Sequence, residues 1–202
     1  MKKSLFLLPL LAALTLCGCK DDKDPGKDDP SGGDSIVLDF TDPTWKDSKV
    51  FPYIGDDDIG ALKTFTYEGI EYNDIGCYAS AGYQGAPNYL MMKNKYGDKD
   101  NPTYAKDGQY AMFGNKTAFS KPIKKVEVVV EGSSSSGNTV YRVNISSSAA
   151  TSAVSDGGQT GSKGQTFSVS SEESDAYYFS VSTNSKDNKI YNGQLVKVTV
   201  SF

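Results

Sequence analysis

Apolar and polar side chains alternate with a period of two from Ile36 to the end of this chain, and no other feature constrains its fold so tightly. Ile36, Leu38 and Phe40 alternate with Val37 and Asp39, and Val126, Val128 and Val130 with Lys125, Glu127 and Val129. Tyr141, Val143 and Ile145 alternate with Arg142 and Asn144, and Tyr177, Phe179 and Val181 with Tyr178, Ser180 and Ser182. Val196, Val198, Val200 and Phe202 close the series against Lys197, Thr199 and Ser201. Successive side chains of an extended strand point to opposite faces, so each run buries one face and turns the other to water or a polar layer. Turn residues separate the runs: Glu68-Gly69 predicts a tight hairpin, and 132–138 is a Ser/Gly loop between two strands. The stretch 146–164 is longer and nearly free of large apolar residues, a length that usually marks function or mobility. No apolar stripe of helical period follows residue 18. The pattern predicts an all-β chain, one antiparallel β-sandwich domain over 35–202.

The N-terminus is built differently. Lys2 and Lys3 precede an apolar run over 5–16, the length of a signal-peptide core and short of the roughly 20 residues that span a bilayer. The run ends in Leu16-Cys17-Gly18-Cys19, which resembles the lipobox of bacterial lipoproteins. That resemblance implies a signal peptide over 1–18 and a diacylglyceryl group on Cys19, with outer-membrane lipid as its partner. One acyl chain holds a protein only marginally, whereas two or three hold it durably. Residues 20–34 contain no large apolar side chain, so 19–34 reads as a lipidated, acidic, flexible tether. Lys20-Asp21-Asp22 resembles the surface-export signal of Bacteroidetes lipoproteins, which implies the outer face of the outer membrane rather than its periplasmic face. Asp34-Ser35-Ile36 resembles the Asp-Ser/Thr-apolar acceptor of O-glycosylation in the same bacteria, which makes Ser35 a glycosylation candidate.

Composition excludes several chemistries. The 25 acidic side chains outnumber the 21 basic ones, and Arg142 is the single arginine, so a nucleic-acid partner is not expected. With Cys17 in the signal and Cys19 lipidated, Cys77 stands alone, and neither a disulfide nor a zinc-type cysteine cluster can form. Cys77 lies in a strand-like run and reads as a small buried hydrophobe. The chain has no histidine, which removes His-based triads, imidazole acid-base work and His-ligated zinc. Carboxylate chemistry of the glycosidase kind survives that test, with Glu68, Glu71 and Asp74 as candidates, although their hairpin placement gives no sign of a paired, buried site. The chain is read as no enzyme and as needing no cofactor.

Most of the 13 tyrosines lie between Tyr53 and Tyr110. Trp45, Tyr53, Tyr83, Tyr96 and Tyr104 fall in Gly-, Pro-, Asp- or Asn-rich segments, where aromatic rings could stack on the C–H faces of sugars. Gln84, Asn88, Asn101 and Gln109 would supply hydrogen bonds. The alternative is packing: tyrosine suits strands, and a lone tryptophan in a sandwich is more often core. Asp56, Asp57 and Asp58 form the sharpest acid cluster, more often a solvated turn but also a candidate structural calcium site.

Ile36-Val37-Leu38-Asp39-Phe40 with Trp45, then Tyr89-Leu90-Met91-Met92-Lys93, the run 123–130 and the closing run 195–200 resemble Bacteroidetes surface lipoproteins with a jelly-roll, galactose-binding-like domain. The resemblance implies a jelly-roll-like sandwich. With the anchor and the loop aromatics, it points to a surface-anchored, non-catalytic module that binds a polysaccharide or other glycan. The alternatives are a structural or protein-interaction subunit with a protein partner in a cell-surface complex and, more remotely, a carboxylate-dependent glycosidase.

Overall fold

The alternating runs become strands. The computed structural model describes residues 34–47, 61–81, 87–93, 95–96, 103–104, 111–131, 139–153, 159–160, 164–185 and 193–202. In chain order the elements are β1 (Ser35–Asp39), the short helix α1 (Pro43–Asp47), β2 (Leu62–Tyr67), β3 (Ile70–Ile75), β4 (Cys77–Ser80) and β5 (Tyr89–Met92). Then come β6 (Lys95–Tyr96), β7 (Thr103–Tyr104), β8 (Met112–Asn115), β9 (Lys125–Glu131) and β10 (Thr139–Ser146). Last are β11 (Gln159–Thr160), β12 (Gln165–Ser170), β13 (Tyr178–Ser185) and β14 (Gly193–Ser201). Among the described residues no helix is long and apolar enough to cross a membrane.

Two antiparallel sheets face each other. The first runs β12-β9-β14-β5-β4, with β1 also paired to β14, and the second runs β11-β10-β13-β8-β3-β2. β6 and β7 form a separate two-stranded ribbon. Leu38, Leu90, Met92, Val126, Val128, Val198 and Val200 from the first sheet meet Tyr72, Phe113, Tyr141, Phe179 and Val181 from the second in one buried core. Within the second sheet Phe113 stacks on Tyr72 at 5.4 Å and meets Phe179 at 5.9 Å, and Phe40, which follows β1, meets it edge-on at 5.7 Å and links the layers. Such pairs add roughly 0.5–1.5 kcal/mol each beyond the area they bury.

Local geometry explains the turns. Glu68 and Gly69 both have positive φ, 49° and 77°, as a type I′ hairpin between right-twisted strands requires. Gly76, at φ 69°, carries the chain from one sheet to the other between β3 and β4, and a Cβ there would lie 2.5 Å from the Lys93 carbonyl oxygen. The closing run departs from strict alternation. A bulge between Leu195 and Lys197 inserts one residue, so Leu195 and Val198 both face the core. Val196 joins Tyr89 and Met91 in a separate apolar cluster instead.

The register also sorts the strand ends. Gly193 pairs with Met92, Met92 with Cys77, Gln194 with Glu131, Thr139 with Ser185 and Leu62 with Ile75, which gathers these residues at one end, the loop end. Ser35 pairs with Ser201, Tyr67 with Ile70, Ser146 with Tyr178 and Lys125 with Ser170 at the other, the terminal end. There the Phe202 amide donates to the Asp34 carbonyl at 3.0 Å, so the chain enters the sandwich beside its own C-terminus. The 7 residues of β9 span the sandwich from one end to the other. At about 3.4 Å per residue, the ends stand roughly 20 Å apart.

Candidate functional site

Trp45 is positioned by a short, capped helix. The Asp42 carboxylate accepts the Thr44 amide at 2.9 Å, capping α1, and the Asp39 carboxylate accepts the Thr41 amide at 3.0 Å in the turn before it. These bonds turn the indole inward. Trp45 is 3% exposed, 4.7 Å from the Phe40 ring and stacked on Tyr67 at 4.0 Å. Tyr67 belongs to β2, the edge of the second sheet, and α1 contacts β4, the edge of the first. Trp45 therefore seals the open side of the sandwich, and its ring is not a platform for a ligand. Beside it Phe40, Ala79, Ser80, Asn88, Tyr89 and Leu90 line a shallow crevice with essentially no room for a water molecule, far short of a small-molecule site. Asn88 donates its amide to the Thr41 carbonyl at 3.2 Å, fastening the start of β5 to the turn before α1.

Tyr96 and Tyr104 lie on the β6–β7 ribbon, Tyr96 opposite Thr103 and Tyr104 opposite Lys95. Tyr53, Tyr83, the acids Asp56, Asp57 and Asp58, the amides Gln84, Asn101 and Gln109, and Cys19 lie outside the described residues. Topology still places connections. The segment 93–111, which carries the ribbon, leaves β5 and rejoins at β8 at the loop end, and 48–61 enters β2 there. Segments 132–138 and 186–192 join their strands at the same end. Ser35 is exposed in β1, opposite Ser201 at the terminal end.

The three carboxylates considered for catalysis are dispersed. Glu68 occupies the β2–β3 turn, and Glu71 pairs with Lys116 at 3.5 Å with both side chains nearly half exposed. Asp74 faces the interior on the same strand as Tyr72, 3% exposed, where its carboxylate accepts the Cys77 amide at 3.3 Å. Burial pushes the Asp74 carboxyl up to about 6, against the opposing pull of the Cys77 amide and Lys63. Glu71 and Asp74, three residues apart on a strand, face opposite ways. Cys77 is buried, its thiol 3.3 Å from the Met112 carbonyl oxygen, and burial with the nearby Asp74 raises its pKa well above the usual range. Such a thiol is inert packing. No group of three His, Cys, Asp or Glu side chains that could hold a metal occurs among the described residues.

Sequence reasoning missed the outer face of the second sheet. Asn73, Ser180 and Ser182 occupy outward strand positions, which alternation assigns to water or a polar layer, and they are 4%, 2% and 1% exposed. Part of the long stretch after β10 reaches Asn73: its amide donates to the Ala150 carbonyl at 2.9 Å. The composition of 146–164 alone carried no signal for that contact.

No protein-family model matches the sequence, and no curated protein matches it. Among solved structures, the chain is similar to the K1 cleaved adhesin domain of Lys-gingipain from Porphyromonas gingivalis W83, at 11% identity and TM-score 0.42, over 84% of this chain and 98% of that one. It is also similar to the K2 cleaved adhesin domain of Lys-gingipain, at 13% identity and TM-score 0.45, over 83% and 99%. At these values the sandwich is read from the chain's own strand pairing.

Proposed function

We propose that this chain is a lipoprotein held at the outer face of the outer membrane through Cys19, and that its sandwich is a non-catalytic module that binds glycan. The observation that carries the reading is the polarity of the sandwich. The tether joins at the terminal end, beside Phe202, while the connection carrying Tyr96 and Tyr104 leaves and rejoins its strands at the loop end, roughly 20 Å away, and the segment with Tyr53 and Asp56 to Asp58 leads into β2 at that end. An anchored domain of this build turns those strand ends away from its point of attachment. Loops on a rigid scaffold are the usual bearers of binding residues. The separation of Glu68, Glu71 and Asp74 supports binding over hydrolysis, which needs two carboxyl groups flanking one bond.

Two measurements test it. Cys19→Ala moves the chain from the membrane to the soluble fraction. Applied in detergent to arrayed host, plant and bacterial polysaccharides, the full chain is retained on at least one class. A second reading, a protein-interaction subunit, has one observation in its favour. β1 pairs only with β14 among the described strands, and its Val37 is 51% exposed, which leaves a strand edge open to another chain. Absence of retention on every glycan, together with a stoichiometric partner pulled from native outer membranes, would replace the first reading with the second.

A further inference from the structure

The unpaired backbone groups of a sheet edge are a template for another strand, and folded proteins blunt them with charge, proline, bulges or a covering segment. Among the described strands, β4 is flanked by α1, and β2 turns Lys63 inward opposite Asp74. β1 carries Asp39 in an ion pair with Lys197, and β11 is two residues long. β12 has none of these limits. It closes the first sheet as Gln165-Thr166-Phe167-Ser168-Val169-Ser170, without charge or proline, and pairs with β9 in one unbroken register. Its sequence surroundings are equally neutral: 146–171 holds two charged residues, Asp156 and Lys163, in a chain that is 23% charged. Gly164, which leads into the strand, has open space where a Cβ would stand.

The strand is complementary to itself. The Ser171 amide donates to the Lys124 carbonyl at 2.9 Å, and bonding alternates along an antiparallel ladder, so the odd-numbered residues bond β9. The N–H and C=O groups of Thr166, Ser168 and Ser170 therefore point to the open edge. Their side chains are exposed on the outer face, while Phe167 is buried and Val169, opposite the fully buried Val126, is partly exposed at the rim of the core. A two-fold axis through Ser168, perpendicular to the sheet, sets an identical strand antiparallel to the first. Thr166 then faces the partner's Ser170, Ser168 faces its own counterpart, and Phe167 faces the partner's Val169. The edge groups meet in about six backbone hydrogen bonds, two at each of the three facing pairs. Hydroxyls oppose hydroxyls outside, and apolar side chains oppose each other on the core side. We propose that β12 is a self-association edge, through which two copies of this chain join their first sheets into one. The pairing goes beyond the glycan reading and stands without it. A contact this narrow lies at the weak end of specific interfaces, so it depends on concentration. The terminal ends of the pair point opposite ways, roughly 20 Å apart, which a segment the length of 19–34 spans at up to about 3.3 Å per residue.

The test uses the full chain in detergent. Opposed Cα atoms of a hydrogen-bonded antiparallel pair stand about 5.5 Å apart, within the roughly 4.4–6.8 Å that a disulfide bridges. Under copper phenanthroline, Ser168→Cys should form a covalent dimer roughly tenfold faster than Thr66→Cys, an exposed position on the β2 edge. The unsubstituted chain sets the background from its native cysteines. Sedimentation over a concentration series should carry the native chain toward twice its mass and leave Ser168→Lys, which opposes like charges at the axis, as a single copy. The Ser168 side chain is exposed and its amide points away from β9, so the ladder within the chain survives the substitution, and unchanged Trp45 fluorescence checks this. Equal cross-linking of Ser168→Cys and Thr66→Cys, or a native chain of one mass at every concentration, would overturn the proposal. So would a Ser168→Lys chain that still doubles its mass. A Ser168→Cys product joined in native membranes to a different protein, and not to a second copy, would overturn the choice of partner.

Discussion

Asp74→Asn is the substitution whose effect is most fully determined by the structure. Asp74 is 3% exposed and its carboxyl is held at about 6, against an ordinary value of 3.8, because burial penalises the charged form. Below about pH 3.8 the carboxyl is protonated in both folded and unfolded chains and costs nothing. Between 3.8 and 6 the folded chain retains a proton that the unfolded chain releases, so stability falls as pH rises. Above 6 both are ionised and the full penalty stands. At about 1.4 kcal/mol per pH unit, the interval amounts to about 3 kcal/mol at neutral pH. Asparagine removes the charge, keeps the volume and still offers an oxygen to the Cys77 amide. The variant should match the native chain near pH 4 and exceed it by about 1–3 kcal/mol at pH 7. Urea denaturation followed through Trp45, the chain's single tryptophan and buried in the core, reads the difference at each pH. A pH-independent difference, or an Asp74→Asn chain less stable than native at pH 7, would refute the argument. The second outcome would mean that the carboxylate charge is used, with Lys63 as its partner.

Other substitutions follow from the same contacts. Asn115 accepts the Phe179 amide at 2.7 Å and donates to the Thr117 and Tyr177 carbonyls at 2.8 and 3.0 Å. Asn115→Ala orphans these buried groups and should cost about 3 kcal/mol or more in the urea midpoint. Gly76→Ala meets both a positive φ and the Lys93 carbonyl, whereas Gly164→Ala meets a positive φ in open space. The second should lose about 1 kcal/mol and the first about 3 kcal/mol or more, and equal losses would discount the steric argument. Trp45→Ala empties the seal between the sheet edges and should cost about 3–5 kcal/mol, with Trp45→Phe recovering part of it by calorimetry. Full stability in Trp45→Ala would contradict its placement in the core.

The strands were legible in the sequence because alternation is a local property. Ile36 and Leu38, the alternate valines Val126, Val128 and Val130, and the pair Phe179 and Val181 each carry their facing in their own spacing, and all of them are buried. Glu68-Gly69 and the glycine- and serine-rich breaks marked turns for the same reason: the backbone conformation they permit needs no distant partner. Val196 escaped, because the bulge that displaces it is visible only against the register of β9. Trp45 stood in a segment that composition could not sort between surface and core, and it is buried because Phe40 and Tyr67 lie on either side of it.

What the sequence determined by itself is thus the class of the fold, the absence of histidine chemistry, and the alternation that commits one face of each strand to a core. Tertiary structure decided the rest. β14 takes neighbours from β1, β5 and β9, and that long-range pairing chooses which strand ends share an end of the sandwich. It also decides which polar faces are covered, so Asn73, Ser180 and two of the Arg142 guanidinium nitrogens lie buried where alternation alone leaves water or a polar layer open. The physical reason is one of range. Periodicity is written in neighbouring residues, whereas the partner of an outward residue can lie far along the chain, as Ala150 does from Asn73.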